Sequence, residues 1–169
     1  MTFAPAHRVV VGLCAAAPAL RAPFPKARGQ RGAKAAGLRF ERAVRRQLIK
    51  QFPKAQSLPL PTLSHGPWYE FTDANGRGYC QPDFVIQTER EVFALECKLT
   101  DTVAGEAQLR ELYLPVLRMA HGLPAYGIVL VRHLTPATDR SRLVPNLSTA
   151  IVVARSAIHT LHWLSVGPL

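Results

Sequence analysis

Two short stretches hold side chains that could do chemistry together: Pro82-Asp83 and, thirteen positions after the aspartate, Glu96-Cys97-Lys98. Two carboxylates can hold a divalent cation, and a lysine beside them can steady a developing negative charge. Either motif alone is common by chance, so the question is whether the chain brings them together. Strand periodicity puts Phe93, Leu95, Cys97 and Leu99 on one apolar face and Val92, Ala94, Glu96 and Lys98 on the other. In the preceding segment Asp83 and Val85 alternate with Phe84 and Ile86, so Asp83 can share a face with Glu96. Pairing through the polar loop 88–91 sets Gln87 against Val92, Val85 against Ala94 and Asp83 against Glu96, on the polar face of the sheet. The two carboxylates would then sit about 5 Å apart at Cβ and repel by about 3 kcal/mol at an effective dielectric near ~20. Lys98 offsets part of this, and a divalent cation would do more. Mg²⁺, or Mn²⁺ in its place, takes one or two carboxylates, keeps waters and accepts phosphate oxygens. The plain alternative is a surface salt-bridge cluster of Asp83, Glu96 and Lys98, worth little energetically.

The elements that must position these residues can be read along the chain. Phe40, Val44, Leu48 and Phe52 recur every four residues and predict a helix from about 35 to 52, ended by Pro53. Residues 53–67 hold four prolines and read as an extended surface connection. Trp68–Thr72 is a strand, 73–78 a turn, Tyr79–Gln87 a second strand and Val92–Leu99 a third. A helix from about 105 to 120 follows, with Pro115 expected to kink or divide it, and then a continuous apolar strand over 126–131. Further strands are expected at 150–154 and 160–164. The fold class is therefore α/β, a mixed central β-sheet flanked by helices.

Charge is distributed unevenly. Residues 1–54 hold twelve Lys or Arg and a single acid, Glu41, while the rest of the chain is close to neutral, with a total net charge of +10. Clustered cations suit a phosphate backbone through counterion release, and no lipid-inserting face accompanies them, so nucleic acid is expected and a membrane is not. No apolar run approaches the ~20 residues of a membrane helix. Residues 1–34 read as a basic, Pro/Gly-rich arm, and 35–169 as a single domain with its core at about 35–131 and an extension over 132–169. Val9–Ala17 could pass for the apolar part of a secretion signal, but a buried strand or a partner-docking segment is preferred. Cys14, Cys80 and Cys97 are odd in number and far apart, which excludes a CxxC metal or redox site and fits a reducing, cytoplasmic setting rather than secretion. His159 and His162, three apart, would face opposite ways on a strand.

Pro82-Asp83-Phe84 with Glu96-Cys97-Lys98 resembles the PD-(D/E)XK nuclease superfamily. Gly37-Leu38-Arg39-Phe40-Glu41-Arg42 is similar to the first-helix segment of its Holliday-junction resolvase members, and Gln108-Leu109-Arg110-Glu111-Leu112-Tyr113 to the helix after the Glu-x-Lys strand. The likeness spans about residues 31–131. It implies a restriction-endonuclease-like αβββαβ core and Mg²⁺-dependent hydrolysis of DNA phosphodiester bonds, with junction or branched DNA as the favoured substrate. Restriction-type or end-processing activity stays open.

On this reading Asp83, Glu96 and the backbone carbonyl of Cys97 would bind the metal, Lys98 would orient the attacking water or stabilise charge, and Glu41 would hold a second metal or its water shell. Glu41 lies at the edge of the apolar stripe, where a residue reaching over a sheet would sit. Its plain alternative is a helix pair with Arg45. Arg28, Arg31, Lys34, Arg39, Arg42, Arg45 and Arg46 would hold the DNA backbone. Gln108 is a candidate accessory residue, read first as a surface glutamine, and Tyr113 as core. A homodimer is expected because two strands are to be cut. The rival reading is a non-catalytic DNA-binding component with a nuclease fold, belonging to a phage particle or recombination complex.

Overall fold

The structure is a computed structural model in which residues 8–23, 32–51, 62–101 and 103–163 are described. Residues 8–14 run along the surface into strand β1 (Ala15–Pro18). Helix α1 (Ala33–Gln51) buries Phe40, Val44 and Leu48, the stripe that its four-residue spacing demands. The expected helix end at Phe52 and Pro53 lies outside the described residues. Strands β2 (Thr62–His65), β3 (Tyr69–Asp73) and β4 (Gly76–Cys80) follow. β3 and β4 form a hairpin whose Ala74-Asn75 turn is held by the Asn75 N–H donating to Asp73 Oδ1 at 2.9 Å. Gly76 closes that turn at φ +90°, a conformation that favours glycine.

Next come β5 (Phe84–Gln87) and β6 (Val92–Thr100), then α2 (Val103–Gln108), a π-helical turn over Leu109–Tyr113, α3 (Leu114–His121) and β7 (Ala125–His133). A 3₁₀ turn (Arg140–Arg142), β8 (Leu143–Val144), α4 (Leu147–Val153) and β9 (His159–His162) end the described chain. Two sheets result: β1-β3-β4, and a mixed six-stranded sheet in the order β2-β5-β6-β7-β9-β8. β2, β5 and β6 pair antiparallel, while β7 runs parallel to β6 across the helical connection.

The central sheet is covered on both faces, and period-2 alternation sorts its residues between two cores. Phe84, Ile86, Phe93, Leu95, Ile128 and Leu130 pack with α1 and α4. Val85, Val92, Ala94, Val129 and Val131 pack with Leu109, Leu112, Val116 and Leu117 of the helical connection. The face carrying Glu96 is therefore not the polar face that the alternation suggested.

Several elements differ from expectation. Tyr79–Gln87 is not one strand. Gln81-Pro82-Asp83 interrupts it, and β4 and β5 belong to different sheets. Pro82 has no N–H for a ladder, which is why the pairing changes there. β2 emerges from the proline-rich connection as the edge strand beside β5. Residues 150–154, expected as a strand, fall largely in α4, where Asn146 caps the helix by accepting the Thr149 N–H at 2.9 Å. The 132–169 extension adds β8 and β9 to the sheet and α4 to one face.

The helix runs without interruption from Val103 to His121, passing from α to π geometry over Leu109–Tyr113 and back to α at Leu114, so Pro115 does not divide it. Lacking an N–H, Pro115 leaves the Glu111 carbonyl without its usual donor four residues on. The Val10 N–H fills that place at 2.9 Å. Residues assigned to the arm by composition are thus part of the folded body. The Arg8 guanidinium pairs with buried Asp73, and the Cys14 N–H donates to Thr72 O and the Ala74 N–H to Val11 O, both at 2.8 Å. β1 itself is mostly exposed rather than a buried strand.

Candidate active site

β5 and β6 pair in the register that the sequence suggested, with Gln87 opposite Val92 and Val85 opposite Ala94. Asp83 is the residue before β5, one step beyond the Phe84–Leu95 pair and so level with Glu96. Its Oδ2 accepts the Cys97 N–H at 2.7 Å, which ties the aspartate to the strand carrying the second carboxylate. Glu96 is only 4% exposed. Its Oε1 accepts from Lys98 Nζ at 2.7 Å, while its Oε2 is buried with no hydrogen-bond partner. Burial first, and the neighbouring Glu96 charge second, hold the Asp83 carboxyl well above its ordinary range; the Cys97 N–H and Lys98 oppose this. Burial also raises Glu96, opposed by Lys98 and assisted by Glu41.

Lys98 is held from two sides. Besides Glu96, it donates to Gln108 Oε1 at 3.0 Å; Gln108 Nε2 donates to the Tyr113 hydroxyl, which donates to the Gln81 carbonyl at 3.1 Å. Gln108 is 8% exposed, which corrects its reading as a surface residue. In a regular α-helix residues five apart point about 140° apart, but the π turn between Gln108 and Tyr113 brings both to Lys98's side. Gly105 makes room for this lysine. A Cβ there would lie 3.3 Å from both Lys98 Cγ and Val129 Cγ1.

Glu41 reaches the same region from α1. Its Oε1 lies 2.6 Å from Nε2 of His65 on β2, so its partner is His65 and not Arg45. Its charge acts on Asp83, Glu96 and Cys97. The His65 ring also packs on Phe84, with ring centroids 5.1 Å apart. Sequence reasoning passed over His65 because β2 was not visible as a strand; only its pairing next to Asp83 reveals the position.

Among the described residues no cluster of three His, Cys, Asp or Glu side chains could hold a metal ion. A hard cation that keeps most of its waters needs fewer protein ligands, and the unpaired Glu96 oxygen beside Asp83 is chemically suited to one. Asp83 and Glu96 are thus donors of the kind that Mg²⁺ or Mn²⁺ takes. The cations Lys34, Arg39, Arg42, Arg45 and Arg46 are exposed on α1 and none forms an ion pair with another described residue. Arg28 and Arg31 lie outside the described residues. A groove of about 700 Å³ runs along β1, but it contains none of these groups, so concavity alone does not mark the site. No described helix is long and apolar enough to cross a membrane.

Comparison with protein-family models, with curated proteins and with solved structures finds no match to the chain.

Proposed function

We propose that the protein is a metal-dependent endonuclease that hydrolyses DNA phosphodiester bonds at Asp83, Glu96 and Lys98. The observation that carries this reading is the pair of carboxyls held together in a mostly apolar setting, one of them with a buried oxygen that has no partner. Such a pair is unfavourable for a fold to keep without a ligand. Mg²⁺ or Mn²⁺, when bound, would polarise the scissile phosphate and lower the pKa of an attached water.

The chain's own groups then have distinct tasks. Asp83 and Glu96 supply negative ligand oxygens, and the Cys97 N–H fixes the orientation of Asp83. Lys98, held by Gln108, presents an ammonium group where phosphoryl charge develops. Glu41, steadied by His65, adds a third negative group at the rim, suited to a second metal or its waters. The α1 cations hold the sugar-phosphate backbone without reading sequence. In the six-stranded sheet, α1, β2, β5, β6, the helical connection and β7 follow in the order helix, three strands, helix, strand, with β3 and β4 inserted between β2 and β5; that order supports the restriction-endonuclease-like reading. Preference for junction or branched DNA, and a dimer cutting two strands, belong to the same proposal.

The test is incubation with supercoiled plasmid and with branched DNA, in Mg²⁺ or EDTA, alongside Asp83→Ala and Lys98→Ala. Mg²⁺-dependent cutting lost in both variants is the expected result. A second reading has one observation in its favour: Lys98 already neutralises Glu96, and among the described residues no third His, Cys, Asp or Glu side chain completes a metal-holding cluster. The protein would then be a DNA-binding structural component, and metal-independent binding without cleavage of any substrate would select it.

A further inference from the structure

A second feature lies on the far side of α1 from Glu41. Helical periodicity puts Glu41 on one side of the buried Phe40-Val44-Leu48 stripe and Ala43 and Gln47 on the other, with Lys50 beyond them. On that second flank a cavity of about 390 Å³ opens between the helix and Trp163, which follows β9. Ala43, Ile49 and the Trp163 ring give it an apolar wall, and Arg46, Gln47 and Lys50 supply its polar groups. Trp163 is half-buried and packs against the core cluster that α1 helps to form.

We infer that this cavity is a subsite for one unstacked base of single-stranded nucleic acid, with Trp163 as the stacking surface and Arg46 and Lys50 as the phosphate contacts. The charge is one-sided. Among the described residues no carboxylate lines the cavity, and neither cation forms an ion pair with another of them. An aromatic face offers stacking to any base, the flanking cations follow the backbone, and the Gln47 amide can hydrogen-bond a base edge. Arg39, Arg42 and Arg45 cover the solvent face of α1 between this cavity and the Glu41 flank, so a strand crossing the helix would meet cations throughout. A duplex cannot use the subsite, because its bases are stacked and paired. The inference rests on the reading that the chain binds nucleic acid, not on its cleaving it, and it assigns single-stranded or splayed DNA as the favoured ligand.

The experiment uses the full chain in EDTA, with a Trp68→Phe background so that Trp163 is the sole indole, and measures binding of oligothymidylate about 12 nucleotides long, an abasic oligonucleotide of equal length and a duplex. Oligothymidylate should quench Trp163 fluorescence. Trp163→Ala, made in the Trp68→Phe protein and read by fluorescence anisotropy of labelled strands, should weaken oligothymidylate binding about tenfold while leaving the abasic strand and the duplex unchanged. Trp163→Phe, which keeps an aromatic face, should retain most of the affinity and controls for misfolding. Equal weakening for all three ligands, or oligothymidylate binding without quenching, overturns the subsite. Because metal is withheld, failure of cleavage in the plasmid assay leaves this result standing, and loss of the subsite leaves cleavage untouched.

Discussion

The Glu96 oxygen that no hydrogen bond reaches, beside an aspartate whose carboxyl is itself pushed up, sets the energetics of the site at the scale of single residues. Asp83→Asn removes one of two repelling charges and keeps an oxygen able to accept the Cys97 N–H. It should raise stability to urea at pH 8 by on the order of 1 kcal/mol while abolishing cleavage, the trade between stability and activity expected of a charged site. Lower stability in this variant would mean that the carboxylate contributes to the fold. The same shifts fix a pH dependence. Raised folded values mean that the native protein binds these protons more tightly than the unfolded chain, so their contribution is present below the ordinary values of 3.8 and 4.5 and is lost as pH rises through the folded ones. Millimolar Mg²⁺ should therefore raise the Tm clearly at pH 8 and much less at pH 5, and equal effects at the two pH values would remove the carboxyl pair as its binding site. The Asp83–Glu96 adjacency was legible in the sequence because strand alternation and a four-residue loop leave little freedom. The bond between Gln108 and Lys98 was not, since it depends on a helix crossing over β6, on Gly105 leaving space and on a π turn that no local pattern announces.

At the scale of elements, legibility followed how strongly a segment's own pattern constrained it. α1 shows itself through apolar residues every four positions, whereas Pro115, expected to kink or divide the second helix, sits in the first turn of α3 directly after the π turn, with no break in the helix. Tyr79–Gln87 misleads because its alternation continues through Pro82, where the strand leaves one sheet for the other. Ile151-Val152-Val153 misleads because β-branched residues favour strands, yet Leu147, Ala150 and Ala154 have helical spacing and are buried. Asn146 was the overlooked cue. Asn146→Ala should lower stability by about 1 kcal/mol through the lost cap, with Thr149 amide exchange accelerating more than exchange at β6. An unchanged Thr149 exchange rate would mean that α4 is held by packing alone.

Over the whole molecule the dominant property is charge asymmetry: a strongly basic first third, half of whose cations lie on α1, beside a nearly neutral remainder. If DNA lies across α1, log K against log salt should be steep, and Arg39→Gln with Arg42→Gln should flatten that slope by about 1 to 2 without changing sequence preference. A slope that does not move would put the backbone contacts elsewhere. Composition reveals this asymmetry fully, but it assigns residues 8–18 to an arm; the apolar run Val9–Ala17 hints at a packed segment, though not at where it packs, because its partners are distant in sequence. That separation has a consequence for how the chain is made. Arg8 waits for Asp73, and Val10 for the carbonyl of Glu111, a hundred residues downstream. A ribosome releases this segment long before either partner exists, so among the earliest described residues to be synthesised are some of the last to be secured. Until Glu111 is made, the β1–β3 pairing lacks the contact that Val10 makes with the second helix, which leaves that edge of β3 less protected against wrong strand pairing.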